Sequence, residues 1–435
     1  MKTTILDNGL KIITDETDGD FVTASYFVNK GSIDEKESTL GIAHLAEHMV
    51  FKGTTTRDKN EIWEFVQRNG GELNAYTSTN STCFHCAFMN CTSLSALTLT
   101  NSITRIQKNS FGNCTSLKEF GFDAVEIVSD LVWNNTIPQE EFELEKSVVI
   151  EELKMYHDDA EHRVYDLATK TLFNKYKNRW SNGGTPETVS KITRDDMIEY
   201  INRVFVPKNI TVCVTGNIKH EEVVDYISSY IEGYEFSDSN ENYRDVVDEL
   251  NLVDGFETID GTQSTMFAVL ETKINSEREL MINAILSKIL GGGFGSRMMP
   301  IREVYGYAYT VYSNYEFNSY DDKAYCFVYA GLNKDNIEVT KQLIADNLDK
   351  FISDGITEAE FNQAIVRNIS SLKKKKCFCE DLNDFKLSQL SFGGSLSVDD
   401  LIEILETLTL EEVNEYIKNV FSNHKVVYMV VEQKQ

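Results

Sequence analysis

Long apolar runs are missing from this 435-residue chain, and no stretch approaches the roughly 20 residues that a helix needs to cross a bilayer. Nor does the opening lead one to expect a leader. The opening MKTTILDNGLKIITDET enters a strand-like pattern at once, with no charged segment ahead of an apolar one and no Arg-rich amphipathic stretch. These absences predict a soluble chain, expected in the cytoplasm unless a presequence has been removed. Without a secretory signal, the eight cysteines read as reduced thiols. Basic residues are scarce, with 42 Lys plus Arg against 69 Asp plus Glu for a formal charge of -27. That balance argues against nucleic acid or an anionic membrane as a partner, because either would be repelled. It fits a well-solvated acidic surface and is compatible with a cationic peptide substrate. Glycines 291–293 and 295 lack the Lys-Ser/Thr of a phosphate-binding loop, so they read as a flexible or close-approach segment.

What is present is an ordinary globular composition, 41% hydrophobic and 26% charged, in a chain long enough for two to four domains. Its most informative stretch is His44-Leu-Ala-Glu-His48, within GIAHLAEHMVFKGT. On a helix, His44 and His48 stand one turn apart on one face, as two ligands of one zinc ion require. Glu47 lies beside them, where a carboxylate serves as general base toward a water held by the metal. The order is that of the inverted His-x-x-Glu-His zinc motif. The plainer alternative is a helix with two partly exposed histidines. Cys83, His85 and Cys86 form a second cluster of ligand types, but STCFHCAFM reads as a buried strand whose neighbours point to opposite faces. Cys377 and Cys379, after the run Lys373 to Lys376, read as helix residues and not as a redox pair.

The chain carries an internal duplication. ITRDDMIEYINRVFVPKNITVCV from Ile192 aligns without a gap on LTLEEVNEYIKNVFSNHKVVYMV from Leu408, with Thr193 on Thr409, Tyr200 on Tyr416 and Phe205 on Phe421. Each copy has a Thr followed two residues later by an acid, then a helical apolar spacing, then a β-branched run, which reads as a capped helix feeding a strand. Two similarly folded α+β halves follow, over 1–235 and 250–435, joined by the acidic stretch 236–249. A shorter repeat sits inside the first half: NCTSL occurs at 90–94 and at 113–117, with Leu94, Leu97, Leu99, Ile103, Ile106 and Phe111 spaced as in a leucine-rich unit. The segment resembles BspA-like leucine-rich repeats. A single unit cannot bury its apolar face alone, so residues 90–117 read as an insertion that docks on its host domain or protrudes from it.

A catalytic zinc needs a third protein ligand and an open position. The best candidate lies in EEFELEKSVVIEELKMYHDD, where Glu145 and Glu152 are two helical turns apart on one face and Glu151 is rotated off it. At this point the chain resembles the M16 metallopeptidases, the pitrilysin and insulysin group that includes mitochondrial processing peptidase. Their pattern is the inverted zinc motif followed by a Glu-x6-Glu helix. The resemblance implies one Zn(2+) per chain, held by His44, His48 and Glu152, with Glu145 supporting the ligands from behind. His44 and Glu152 lie 108 positions apart, more than the family spacing, and the excess is close to one leucine-rich unit.

Two further stretches extend the likeness. GGELNAYTS, 70 to 78, matches the family's turn and strand, which implies that Asn74 holds a substrate backbone group with Ala75 near the scissile bond. In GGGFGSRMMPIREVYGYAYTVYS, Arg302 and Tyr309 match the pair that binds the substrate carbonyl and steadies the oxyanion in this family. The resemblance further implies an α+β fold of two homologous halves, each an antiparallel-rich sheet with helices packed on it, the LuxS/MPP-like metallohydrolase architecture. It also implies an endopeptidase acting on short or unfolded peptides in a closed chamber, and a homodimer or a heterodimer with a related M16 subunit. The alternatives are a catalytically silent subunit, and a scaffold whose inserted repeat binds a partner.

Overall fold

A computed structural model describes residues 1–17, 21–68, 70–89, 117–237, 244, 246–318, 323–377, 379–391, 394 and 396–434. Its contacts divide the chain into two compact units.

The first unit, Met1–Glu151 with Ser181–Arg244 and Lys375–Ser391, is built on a six-stranded sheet. The strands are β1 (Lys2–Ile5), β2 (Lys11–Glu16), β3 (Phe21–Val28), β4 (Gly71–Thr77), β5 (Thr82–Met89) and β6 (Ile210–Gly216), in the order β1-β2-β6-β3-β5-β4. Every neighbouring pair is antiparallel except β2 with β6, which runs parallel with Ile12 opposite Val212. β3 lies inside the sheet, and Val22 to Val28 are all buried, as in a strand covered on both faces. Alternation along it sorts the two covers. On one face Tyr26 hydrogen-bonds Ser129 of helix Leu117–Trp133 and sets its ring edge-on to Trp133. On the other, Ser25 accepts from Asn383 Nδ2 at 2.6 Å and Phe27 packs with Leu387, both on helix Cys379–Ser391.

The second unit, Glu152–Trp180 with Asp245–Lys374 and Phe392–Gln435, has a five-stranded sheet. Its strands are β7 (Gly255–Ile259), β8 (Ser264–Lys273), β9 (Ala308–Asn318), β10 (Lys323–Leu332) and β11 (Val427–Gln433), in the order β7-β11-β8-β10-β9. Again a single pair, β7 with β11, is parallel. Phe267, Val269 and Phe327 on one face pack against Val164, Ala168 and Leu172 of helix Ala160–Leu172, and Tyr165 stands edge-on to Phe267 at 4.7 Å. On the opposite face Thr272 bonds Asn283 at 2.9 Å and Tyr416 at 3.1 Å.

The fold is therefore α+β with antiparallel-rich sheets, as the sequence leads one to expect. The duplication maps element onto element: helix Arg194–Val204 precedes β6 and helix Leu410–Phe421 precedes β11. Thr193 and Thr409 are the N-caps, accepting from the backbone N–H of Asp196 and Glu412, so the acid of each capping pair sits three residues on. The chain crosses between the units at 244/245, inside the acidic stretch, and also at 151/152, 180/181, 374/375 and 391/392. Residues 152–180, from the first half of the sequence, thus belong to the second unit, while 375–391, from the other half, belong to the first. The leucine-rich segment falls outside the described residues apart from Leu117. Cys377 departs from expectation: it is exposed in a bend after helix Glu358–Lys375, and Cys379 opens the next helix. No helix among the described residues is long and apolar enough to cross a membrane.

Candidate metal centre

The sequence IAHLAEHMV forms helix Ile42–Val50, with Ile42, Ala43, Leu45, Ala46, Met49 and Val50 all buried. His44, Glu47 and His48 are its three half-exposed positions. The apolar residues therefore orient the helix and leave the three chemically active groups on the remaining face. Gly41 is its N-cap at φ +92°, a conformation that favours glycine, and a Cβ there would lie 2.3 Å from the carbonyl oxygen of Gly183. The carboxylate of Glu35, fully buried, accepts from the backbone N–H of Gly41 and of Ala43, each at 2.8 Å. Burial pushes the Glu35 carboxyl up to about 8 against the opposing pull of those two N–H groups, with Asp34 adding to the rise and Arg203 opposing it.

His44 and His48 set their rings 4.8 Å apart, centroid to centroid, at 83°. Glu152 joins them: one ligand atom from each of His44, His48 and Glu152 lies within 4.8 Å of the others, and all three residues are half-buried. The division between the units falls just before Glu152, but within the unbroken helix Gln139–Asp158, which also carries Glu145. The donor set of two imidazoles and one carboxylate is that of a catalytic zinc with a position left open. It fits the ion in a second respect. Glu145 Oε2 lies 3.1 Å from His48 Nδ1, a carboxylate placed where it would favour the Nδ1-protonated tautomer and offer Nε2 to a metal.

The supporting groups extend beyond those expected. Buried Glu145 also pairs through Oε1 with Lys52 Nζ at 2.5 Å. Burial works to raise its carboxyl, but the contacts with His48 and Lys52 outweigh it and hold Glu145 below the usual carboxylate range. Thr77, at the end of β4, donates its hydroxyl to Glu47 Oε2 at 2.7 Å. Tyr156 donates its own to Glu152 Oε1 at 2.7 Å. Sequence reasoning named none of Glu35, Lys52, Thr77 and Tyr156. Only Tyr156 left a signal, as the residue one helical turn after Glu152.

Asn74 and Ala75 lie on β4, an edge strand that pairs with β5. Asn74 is exposed and its Oδ1 accepts from the backbone N–H of Ala75 at 2.9 Å. In the second unit Arg302, on the single turn Pro300–Glu303, sets its guanidinium 5.9 Å from the ring of Tyr309 on β9, so the two are brought together. Tyr309 is 78% exposed. Cys83 and Cys86 are buried in β5, and burial pushes both thiols up, which opposes the thiolate that a metal would need.

Several known proteins and family profiles are similar to this chain. A family profile described as insulinase (peptidase family M16) matches residues 11–109, which include His44, Glu47 and His48. A second, described as the peptidase M16 inactive domain, matches 191–367, which include Arg302 and Tyr309. A third, a BspA type leucine rich repeat region, matches 73–158; its described portion forms β4, β5 and helices Leu117–Trp133 and Gln139–Asp158. An uncharacterized zinc protease of Bacillus subtilis is 25% identical over 97% of this chain and 96% of its own length. A protease from Helicobacter pylori superposes with a TM-score of 0.83 at 18% identity, covering 99% of each chain. A peptidase M16 inactive domain structure from Pseudomonas fluorescens does so at 0.84 and 15%, covering 100% of this chain and 98% of that one.

Proposed function

Because this chain belongs to the M16 family of zinc peptidases, we propose that it is itself a zinc-dependent endopeptidase for short or unfolded peptides. The observation that carries this reading is the convergence of His44, His48 and Glu152, with Glu47 on the same helix face as the two histidines. Those three would hold one zinc ion, which when bound supplies Lewis acidity toward water and the peptide carbonyl. Glu47 takes a proton from the attacking water and passes a proton to the leaving amine nitrogen, so the C–N bond breaks as the new C–O bond is kept. Thr77 steadies that carboxylate through its hydroxyl. Glu145 holds His48 in one tautomer. Arg302 and Tyr309 steady charge on the carbonyl oxygen. The peptide adds as a strand to the edge of β4 beside Asn74 and Ala75, so backbone pairing dominates recognition.

The duplication supports two M16 domains in sequence terms, 1–235 and 250–435. A closed chamber that excludes folded proteins would need a second chain, identical or related. A silent subunit is the competing reading. The intact triad with its base favours catalysis, and the profile named for an inactive domain covers the part of the chain without His44, Glu47, His48 and Glu152.

Metal analysis and cleavage of a quenched-peptide library by wild type and Glu47→Gln test the proposal. The expected result is one zinc in both proteins, with turnover reduced about 10²- to 10⁴-fold in the variant, the usual contribution of a general base. Wild-type rates from Glu47→Gln would refute the assigned role. Equal rates on basic and acidic library members would dismiss a cationic substrate.

A further inference from the structure

Glu152 is held from one side by a short chain of contacts that runs into the next helix. Tyr156, one turn along, donates its hydroxyl to Glu152 Oε1 at 2.7 Å. The phenol ring stacks on His162, with centroids 4.6 Å apart and planes at 28°. His162 is fixed in turn by Asp159, whose Oδ1 accepts the backbone N–H of His162 at 2.8 Å and lies 2.9 Å from its ring Nδ1. Asp159 is the N-cap of helix Ala160–Leu172, so the stack rests on the turn that joins two helices. The phenol cannot swing away from Glu152 without breaking the ring stack.

On the reading of His44, His48 and Glu152 as zinc ligands, we propose that Tyr156 is a positioning residue that makes Glu152 a one-oxygen ligand. A carboxylate can bind a metal through one oxygen or both. Bidentate binding would fill the coordination position that a catalytic zinc must keep for water. A hydroxyl bonded to Oε1 competes for the lone pairs that a metal contact at that oxygen would use, which biases coordination toward a single oxygen. Tyr156 therefore protects the vacant position, and the Asp159–His162 bracket sets the angle from which it does so.

The test uses the full-length protein with zinc or cobalt alone as the probe. Tyr156→Phe removes only the hydroxyl. Competition with a chromogenic chelator should show zinc affinity lower by about 10- to 100-fold, the range for a group that orients a ligand. The visible absorption of the cobalt-substituted protein should weaken as Glu152 closes onto the metal with both oxygens, a change that a purely structural role would not produce. Unchanged affinity with an unchanged cobalt spectrum would overturn the proposal. His162→Gln keeps the hydroxyl but removes the ring beneath it, and should speed zinc release, no further than Tyr156→Phe does. Should Tyr156→Phe fail to fold, a wild-type release rate in His162→Gln overturns the proposal on its own. A wild type that binds zinc tightly but cleaves no peptide refutes the peptidase reading and leaves this one standing; a wild type that takes up no zinc refutes both.

Discussion

Glu35 accepts the backbone N–H of Ala43 at 2.8 Å, which seats a fully buried carboxyl group on the first turn of the helix that carries His44, Glu47 and His48. The first N–H groups of a helix have no partner within it, and at a buried end they must find one elsewhere. Glu35 supplies it from outside the helix, and so fixes where that helix begins.

Replacing Glu35 with Gln should remove one of two backbone acceptors and cost about 1–3 kcal/mol, the penalty for an unsatisfied buried donor. The pH dependence has a definite sign. The folded-state carboxyl sits at about 8, above its ordinary 4.5, so its contribution is fully present below about 4.5 and is lost as pH rises through about 8. Urea denaturation at about pH 5 and about pH 9 should show a smaller loss of stability on raising pH in Glu35→Gln than in wild type.

Thr77→Val keeps the shape and strand preference of the residue while deleting the hydroxyl bonded to Glu47. A hydrogen bond to a charged group contributes about 1.5 kcal/mol or more, so kcat should fall roughly tenfold. Zinc content and KM should stay as in wild type, and Thr77→Ser should restore most of the rate. Steady-state kinetics with metal analysis decides it.

Glu145→Gln should weaken zinc binding by about 10- to 100-fold through loss of the charged acceptor opposite His48 Nδ1. The same change leaves Lys52 without its carboxylate partner, so thermal stability should fall as well. Chelator competition and calorimetry separate the two effects.

In the second unit, Gly255 has no room for a side chain: a Cβ would sit 2.8 Å from Met429 Sδ, 2.9 Å from Thr171 Oγ1 and 3.2 Å from Leu167 Cγ. Gly255→Val should lower stability by about 1–3 kcal/mol through overpacking against helix Ala160–Leu172, read from denaturation.

Replacing residues 90–116 by a short Gly/Ser linker should leave peptide turnover unchanged if the leucine-rich segment is a passive insertion. Loss of a captured partner on that replacement, in a protein whose wild type turns over no peptide, would instead favour the scaffold reading.

Much of the candidate metal centre was legible because its parts are local. His44 and His48 share a face at a spacing of four, and Glu145 and Glu152 share one at seven, so helical geometry alone groups each pair. Thr193 and Thr409 announced the same helix start twice. Thr77, Lys52 and Glu35 were not legible, because their partners are Glu47, Glu145, Gly41 and Ala43, groups that periodicity does not connect to them. Nor does composition reveal that residues 152–180 and 375–391 join the unit built mainly from the other half of the sequence. Cys377 was misplaced because a lysine run favours helix and gives no sign of where that helix stops.

The placement of helix Cys379–Ser391 on the first sheet sets an order of events during synthesis. The last strand of that sheet ends at Gly216, and the helix begins at Cys379, 163 positions later (379 − 216). At about 5–20 residues per second, the ribosome delivers that cover roughly 10–30 seconds after the strands it will cover. Through that interval Ile13, Phe27, Cys83 and Cys213 wait without Leu387, so the nascent chain carries an open apolar face that a holding chaperone would be suited to shield.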